Sequence, residues 1–314
     1  ASSFYFFYFF STGSFVIFTP SLIRNLGFSY VEIGILFSSI PVVRFLGPFL
    51  FVKHLKLDIK FMLFCIILGT LSVIGFYFAT HSFYALLVAF ICYGFSINQL
   101  LPFVEAVSVE KFTKPQYGKI RSIGSSGFIC AALLIPYFSH IHFFPIHGIL
   151  VATSLANLSL LGFLALTKGA QETTESSQKN SFSFRSIWWF WVVIFLMQFS
   201  FGGFYNFFTI YATEHSIDLQ MTSYLWVFGV ICEIGILYYQ GYFLSKFSDY
   251  SLFFVCFLAS FVRWILIFLF PSNVAILFFS QSLHALNFAL FHSTCIYFIS
   301  KHYANKKLAQ QFYL

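Results

Sequence analysis

The stretch Phe10-Ser11-Thr12-Gly13-Ser14-Phe15-Val16-Ile17-Phe18 returns 189 residues later as Phe199-Ser200-Phe201-Gly202-Gly203-Phe204-Tyr205-Asn206-Phe207, with Phe, Ser, Gly, Phe and Phe at the same five places. The same shift carries Leu36 onto Leu225, Asn98 onto Asn287 and Leu101 onto Leu290 without a gap. In a chain with 50 Phe some matches are chance. One constant offset across three separate apolar segments nevertheless marks an internal repeat. Each copy lies inside a run of ~20 apolar residues, the length that crosses the hydrocarbon core of a bilayer as a helix.

Reading outward on that length gives ten spans, roughly 3–23, 31–52, 59–80, 83–107, 117–138, 145–167, 187–212, 220–245, 250–270 and 273–299. They are long and broken by Gly and Pro, whereas a barrel strand would alternate with period two. Composition agrees: 59% of residues are hydrophobic, 23% aromatic and 9% charged. A soluble domain carries about 25% charged residues, so the expected class is an all-α membrane protein. The net charge of +7 lies in short clusters rather than on one continuous basic face, which argues against nucleic acid. Six cysteines fall inside apolar segments without CxxC or Cys/His spacing, and no metal or cofactor is expected. The first apolar run is long enough to remain as a span rather than be cleaved as a signal peptide.

Fourteen of the seventeen basic residues follow the even-numbered spans. Cytoplasmic loops collect Lys and Arg, so the N-terminus is expected in the cytoplasm. The polar stretch 168–186, KGAQETTESSQKNSFSFRS, is the one long linker. It separates a six-helix bundle at 1–167 from a second bundle at 187–314. Six-helix parallel repeats are a transporter signature. Under the 189 shift, Tyr117 at the start of helix five falls on Lys306, so the chain is expected to stop early in helix eleven of twelve.

Ionisable residues inside spans cost about 2.5–3.5 kcal/mol each and default to function. Arg44, Glu105, Arg121, Glu233, Arg263, His284 and His292 are such residues, and the shift superimposes Arg44 on Glu233. A carboxylate in a low-dielectric cavity is pushed towards its neutral form, and a nearby Arg opposes this. A solute that engages the Arg therefore releases the carboxyl to take a proton. Plainer roles compete with these. Glu233 and Arg263 could be a structural pair, Arg44 is expected to be one, and Glu105 and Arg121 could snorkel. His284 and Asn287, one turn apart, could simply bond between helices. Tyr205 and Asn206 are weaker cavity candidates. The histidines of SHIHFFPIH (His140, His142, His147) lack the acidic or Cys partners of a metal site.

Val104-Glu105-Ala106, Glu110-Lys111 and Tyr117-Gly118-Lys119-Ile120-Arg121 with Gly124 resemble the helix four–five region of lactose permease and its relatives in the major facilitator superfamily. Glu233, the pair Arg263-Trp264, Leu283-His284 and Phe291-His292 are most similar to the phenylpropionate-permease branch, near the nucleoside–proton symporters. The resemblance covers essentially the whole chain. It implies a proton-coupled symporter with a central cavity lined mainly by helices one, four, seven and ten. It implies that Glu105 and Arg121 hold the solute and that Glu233, Arg263 and His284 couple it to the proton; Asn287, His292, Tyr205 and Asn206 are further candidate contacts read from their place as polar residues in spans. Two departures stand out. The proton-carrying acid of the permease falls on Asn287, which does not titrate, so Glu233 or Glu105 takes that role or coupling differs. Phe51 occupies the place of an Asp after helix two.

The expected function is proton-driven uptake of a small organic solute across the bacterial inner membrane by a monomer. An aromatic carboxylate such as phenylpropionate is favoured, with sugars and nucleosides as alternatives. A membrane-embedded enzyme would need a nucleophile or metal constellation such as HExxH, which is not found. A non-transporting sensor is the remaining alternative.

Overall fold

The computed structural model describes residues 1–54, 59–112, 114–138, 141, 144–167, 187–303, 309 and 313, with side chains throughout except at 47–54, 106, 109, 110, 114, 115, 117, 118, 166 and 167. The linker 168–186, His140, His142, Lys306 and Lys307 lie outside the described residues, as do the side chains of Phe51 and Tyr117.

Among the described residues the chain forms ten helices and no strand: α1 Ser2–Asn25, α2 Tyr30–His54, α3 Ile59–Phe78, α4 Phe83–Lys111, α5 Lys114–Leu134, α6 Phe144–Thr167, α7 Trp188–Glu214, α8 Leu219–Lys246, α9 Asp249–Leu269 and α10 Val274–His302. Nine are long and apolar enough to cross a membrane among the described residues. The tenth, α2, has 25 residues. Every expected span has its helix, because bilayer thickness fixes helix length more tightly than local propensity does.

The offset of 189 recurs in the turns. Positive φ occurs, among the described residues, at Gly27 (96°) and Ser216 (67°), which are 189 residues apart. Ser29 then caps α2, accepting from the Glu32 amide at 3.3 Å while Glu32 Oε2 accepts from the Ser29 amide at 2.8 Å. Its counterpart Asp218, also 189 residues on, caps α8 by accepting from the Met221 amide at 2.7 Å. Both corners reverse the chain in the left-handed region and satisfy orphan N–H groups at the next helix start.

The chain divides into two compact units, Ala1–Thr174 and Glu175–Leu314. In the first, α1 packs on α5 and α6, α2 on α4, and α3 on α4 and α6. Helices α1 and α5 touch backbone to ring and backbone to backbone. A Cβ on Gly124 would strike the Phe9 ring, and one on Gly127 would fall on the Phe6 carbonyl. Small residues give this closeness, which membrane helices use because lipid supplies no hydrophobic drive between them. Phe4, Met62, Cys65, Val104 and Leu160 form the core around it. A buried hydroxyl chain joins three helices, Ser11 Oγ lying 3.0 Å from Tyr93 Oη and 2.8 Å from Thr153 Oγ1.

In the second unit α10 packs against both α8 and α9. Phe190 of α7 stacks on Phe298 of α10 at 4.5 Å, and Phe253 of α9 closes the same cluster. Helix α10 is not uniform. Residues Leu286–Leu290 form one π turn, so the helix carries an extra residue at mid-membrane depth.

Candidate functional site

The π turn starts two residues after His284, and His284 lies between Glu233 and Arg263. Its Nε2 is 2.8 Å from Glu233 Oε1 on α8. Its Nδ1 is 3.0 Å from Nη1 of Arg263 on α9. A carboxylate only accepts and a guanidinium only donates. The imidazole between them is therefore neutral, with its proton on Nε2 and its lone pair on Nδ1 facing the Arg. Three helices thus hold a guanidinium, a neutral imidazole and a carboxyl group in series.

Arg263 is 0% exposed, and the Glu233 side chain is 15% exposed. A buried guanidinium without partners would be prohibitively costly, so its surroundings matter. Nη2 donates to Gln281 Oε1 at 3.1 Å. The guanidinium carbon lies 4.1 Å from the centroid of Phe204 and 4.5 Å from that of Trp264. Such desolvated cation–π contacts contribute about 2 kcal/mol each. Three buried N–H donors of the residues around the cation have no acceptor among the described residues: Arg263 Nε, Trp264 Nε1 and Gln281 Nε2. Buried donors are almost always paired.

The expected Glu233–Arg263 pairing is therefore indirect, with His284 interposed. Asn287, fully buried in the π turn, donates to Ser260 Oγ of α9 at 3.3 Å. Below it, Ser293 of α10 donates to Gln240 Oε1 of α8 at 2.6 Å. Tyr205 of α7 presents its ring edge to His284 at 6.3 Å and stacks on Trp226 at 5.9 Å. Asn206, beside it, is half-buried. His292 is separate from the relay and meets Tyr313 Oη at 3.0 Å through Nδ1. Gln281, Phe204, Ser260 and Gln240 were not singled out from sequence. Polar residues in spans were the available signal for Gln281 and Gln240; nothing distinguished Phe204 from the other phenylalanines.

In the first unit Arg121 Nε donates to Glu105 Oε1 at 3.1 Å, with both side chains about one-third exposed (35% and 31%). The guanidinium lies 4.4 Å from the Phe9 ring centroid and 5.6 Å from that of Tyr5. The sixteen-residue spacing spans the corner between α4 and α5 and brings the two heads together. Arg44 is exposed and makes no ion pair among the described residues, so the expected charge pair is not found there. His147 packs against Tyr77 at 5.3 Å and lines an apolar groove of about 260 Å³ with Phe6, Phe10 and Leu155.

Ten helices in two repeated halves, with acids and bases buried inside spans, define a multi-pass membrane transporter rather than an enzyme. The MFS_1 like family matches residues 1–312, and the chain belongs to that family. The protein of Escherichia coli (strain K12) named "Probable 3-phenylpropionic acid transporter" is 26% identical over 271 residues, covering 83% of this chain and 71% of that one. The chain is also similar to a crystal structure of a point mutant of the nucleoside transporter NupG, with TM-score 0.79 and 17% identity over 99% of this chain and 85% of that one. A bacterial homolog of the human lysosomal transporter Spinster, in an inward-facing and occupied conformation, gives TM-score 0.64 at 12% identity, covering 99% of this chain and 77% of that one.

Proposed function

We propose that this major facilitator transporter is a proton-coupled symporter that takes up a small organic carboxylate across the bacterial inner membrane. Glu233, His284 and Arg263 couple the proton, and Glu105 and Arg121 contribute to holding the solute, with Tyr205, Asn206, Asn287 and His292 as further contacts. The observation that carries the reading is the series Glu233–His284–Arg263, at 2.8 and 3.0 Å. It offers one titratable carboxylate linked through an imidazole to a buried cation. An anion that drew on Arg263 would loosen its hold on His284, and Glu233 would then take up a proton more readily. The E. coli relative named for 3-phenylpropionic acid supports an aromatic acid as the solute.

The chain is read as two repeats, 1–167 and 187–314, joined by a cytoplasmic loop at 168–186. The N-terminus lies in the cytoplasm, the protein is a monomer, and sugars or nucleosides are the alternative solutes. The test is uptake of radiolabelled 3-phenylpropionate into vesicles bearing the protein, with an imposed inward pH gradient. An initial rate above that of protein-free vesicles, increased by the gradient, is expected. A protein-dependent rate that ignores the gradient would remove proton coupling.

A further inference from the structure

The charge count of the buried set, taken with the reading above on which it rests, bears on what is carried. Unloaded, the set comprises Arg263 as a cation, His284 neutral and Glu233 as an anion. The other titratable groups near it in this unit are Tyr205 of α7 and Cys232 of α8, and both are neutral at physiological pH. Protonating Glu233 alone would leave Arg263 as an uncompensated charge, and an uncompensated buried charge is strongly penalised. A neutral solute does nothing to correct this. A carboxylate does, because its single negative charge replaces the one that Glu233 gives up.

We infer that the transporter is electroneutral, carrying one carboxylate together with one proton, with the carboxylate seated on the unpaired N–H groups of Arg263, Trp264 and Gln281. Those three donors are buried and lack acceptors among the described residues, and a carboxylate brings two oxygens with about four acceptor sites. On loading, one proton leaves a hydronium ion in the aqueous phase and bonds to a Glu233 carboxylate oxygen, returning water. The set then holds Arg263 as a cation, the solute as an anion and Glu233 neutral. Its total is zero in both states, so the membrane potential does no net work on the loaded or the empty carrier. A symporter carrying a neutral sugar or nucleoside with one proton would instead move one positive charge per cycle.

The test uses the purified full chain in proteoliposomes, with radiolabelled 3-phenylpropionate and initial rates taken above protein-free vesicles, since the free acid also permeates lipid. With the potential clamped to zero by valinomycin and equal potassium, an inward gradient of one pH unit, a tenfold driving ratio, should raise the protein-dependent initial rate. With equal pH, an inside-negative diffusion potential should leave that rate unchanged. A rate raised by the potential, whose driving ratio for one net charge is about 50-fold at 100 mV, would overturn electroneutrality while leaving proton coupling in place. A rate raised by neither drive would overturn both readings. The seat is tested separately with Trp264→Phe, which keeps the ring against Arg263 and deletes the indole N–H. It should raise KM for 3-phenylpropionate about tenfold and leave the maximal rate of exchange unchanged. An unaltered KM, or a fall in the maximal rate alone, would overturn the seat.

Discussion

Glu233→Gln separates coupling from folding. The substitution keeps an acceptor oxygen for the His284 Nε2–H, which stands 2.8 Å from Glu233 Oε1, and keeps the volume. A charge-assisted hydrogen bond contributes about 1.5–3 kcal/mol and a neutral one about 0.5–1.5, so the fold loses on the order of 1–1.5 kcal/mol. That corresponds to a fall in Tm of roughly 2–6 °C, readable by thermal unfolding in detergent with membrane insertion intact. Transport should respond far more. A two-unit inward pH gradient drives a one-proton carrier with a factor of about 100, so the initial uptake rate above protein-free vesicles should rise with the gradient for the native chain and not for the glutamine variant, which has no proton to carry. Exchange of internal for external solute needs no net proton movement and should persist. The contrast with Arg263→Ala is informative, because that change empties a fully buried site and strands Glu233, costing about 3–5 kcal/mol. If the gradient still raises the protein-dependent initial rate in Glu233→Gln vesicles as it does for the native chain, the carboxylate is not the proton carrier and the coupling scheme is wrong.

Arg121→Lys should change stability by less than about 1 kcal/mol, since the pair with Glu105 is one-third exposed; solute KM should rise at least about tenfold because the fork geometry is lost, and an unchanged KM would place the pair outside the solute path. Gly127→Ala sets a Cβ on the Phe6 carbonyl, so α1 and α5 must separate. Folded yield, read by fluorescence-detected size exclusion of a tagged chain, should collapse, and a normal yield would mean that this contact is not close in the folded protein. Alkaline phosphatase fused within 168–186 should be inactive and fused after Arg24 active, because only the second site is expected outside the cytoplasm; the opposite pattern inverts the topology.

The helices were legible because spans obey a length rule, and the repeat because its offset survives in side chains. Even the corners carry it, at Gly27 and Ser216. Glu105 and Arg121 were findable as charges flanking one corner. The interior of the relay was not. Charges in spans announced Glu233, Arg263 and His284, but helix rotation decides whether Arg263 meets Glu233 or His284, and no sequence period sets it that finely. The π turn was hidden for a related reason. Leu286-Asn287-Phe288-Ala289-Leu290 contains neither Gly nor Pro, and the turn is stabilised by neighbours such as Ser260 on α9. Phe204 was quoted only as a letter of the repeat, since one aromatic among 50 phenylalanines does not declare a cation as its neighbour.

Helix α10 meets the same neighbour twice, His284 reaching Glu233 and Ser293 reaching Gln240. On α8 those two partners are seven positions apart, about two full rotations at 100° each step, and so share one side. On α10 the two contacts are nine positions apart, which in a regular helix would turn them about 180° from each other. The surplus residue at Leu286–Leu290 removes roughly one step of that rotation and brings Ser293 back to within about 80° of His284. Winding the same residues into a regular α-helix at constant length would therefore act as a phase shift: either the imidazole or the serine would swing off α8, and the upper and lower halves of α10 could no longer dock on it together.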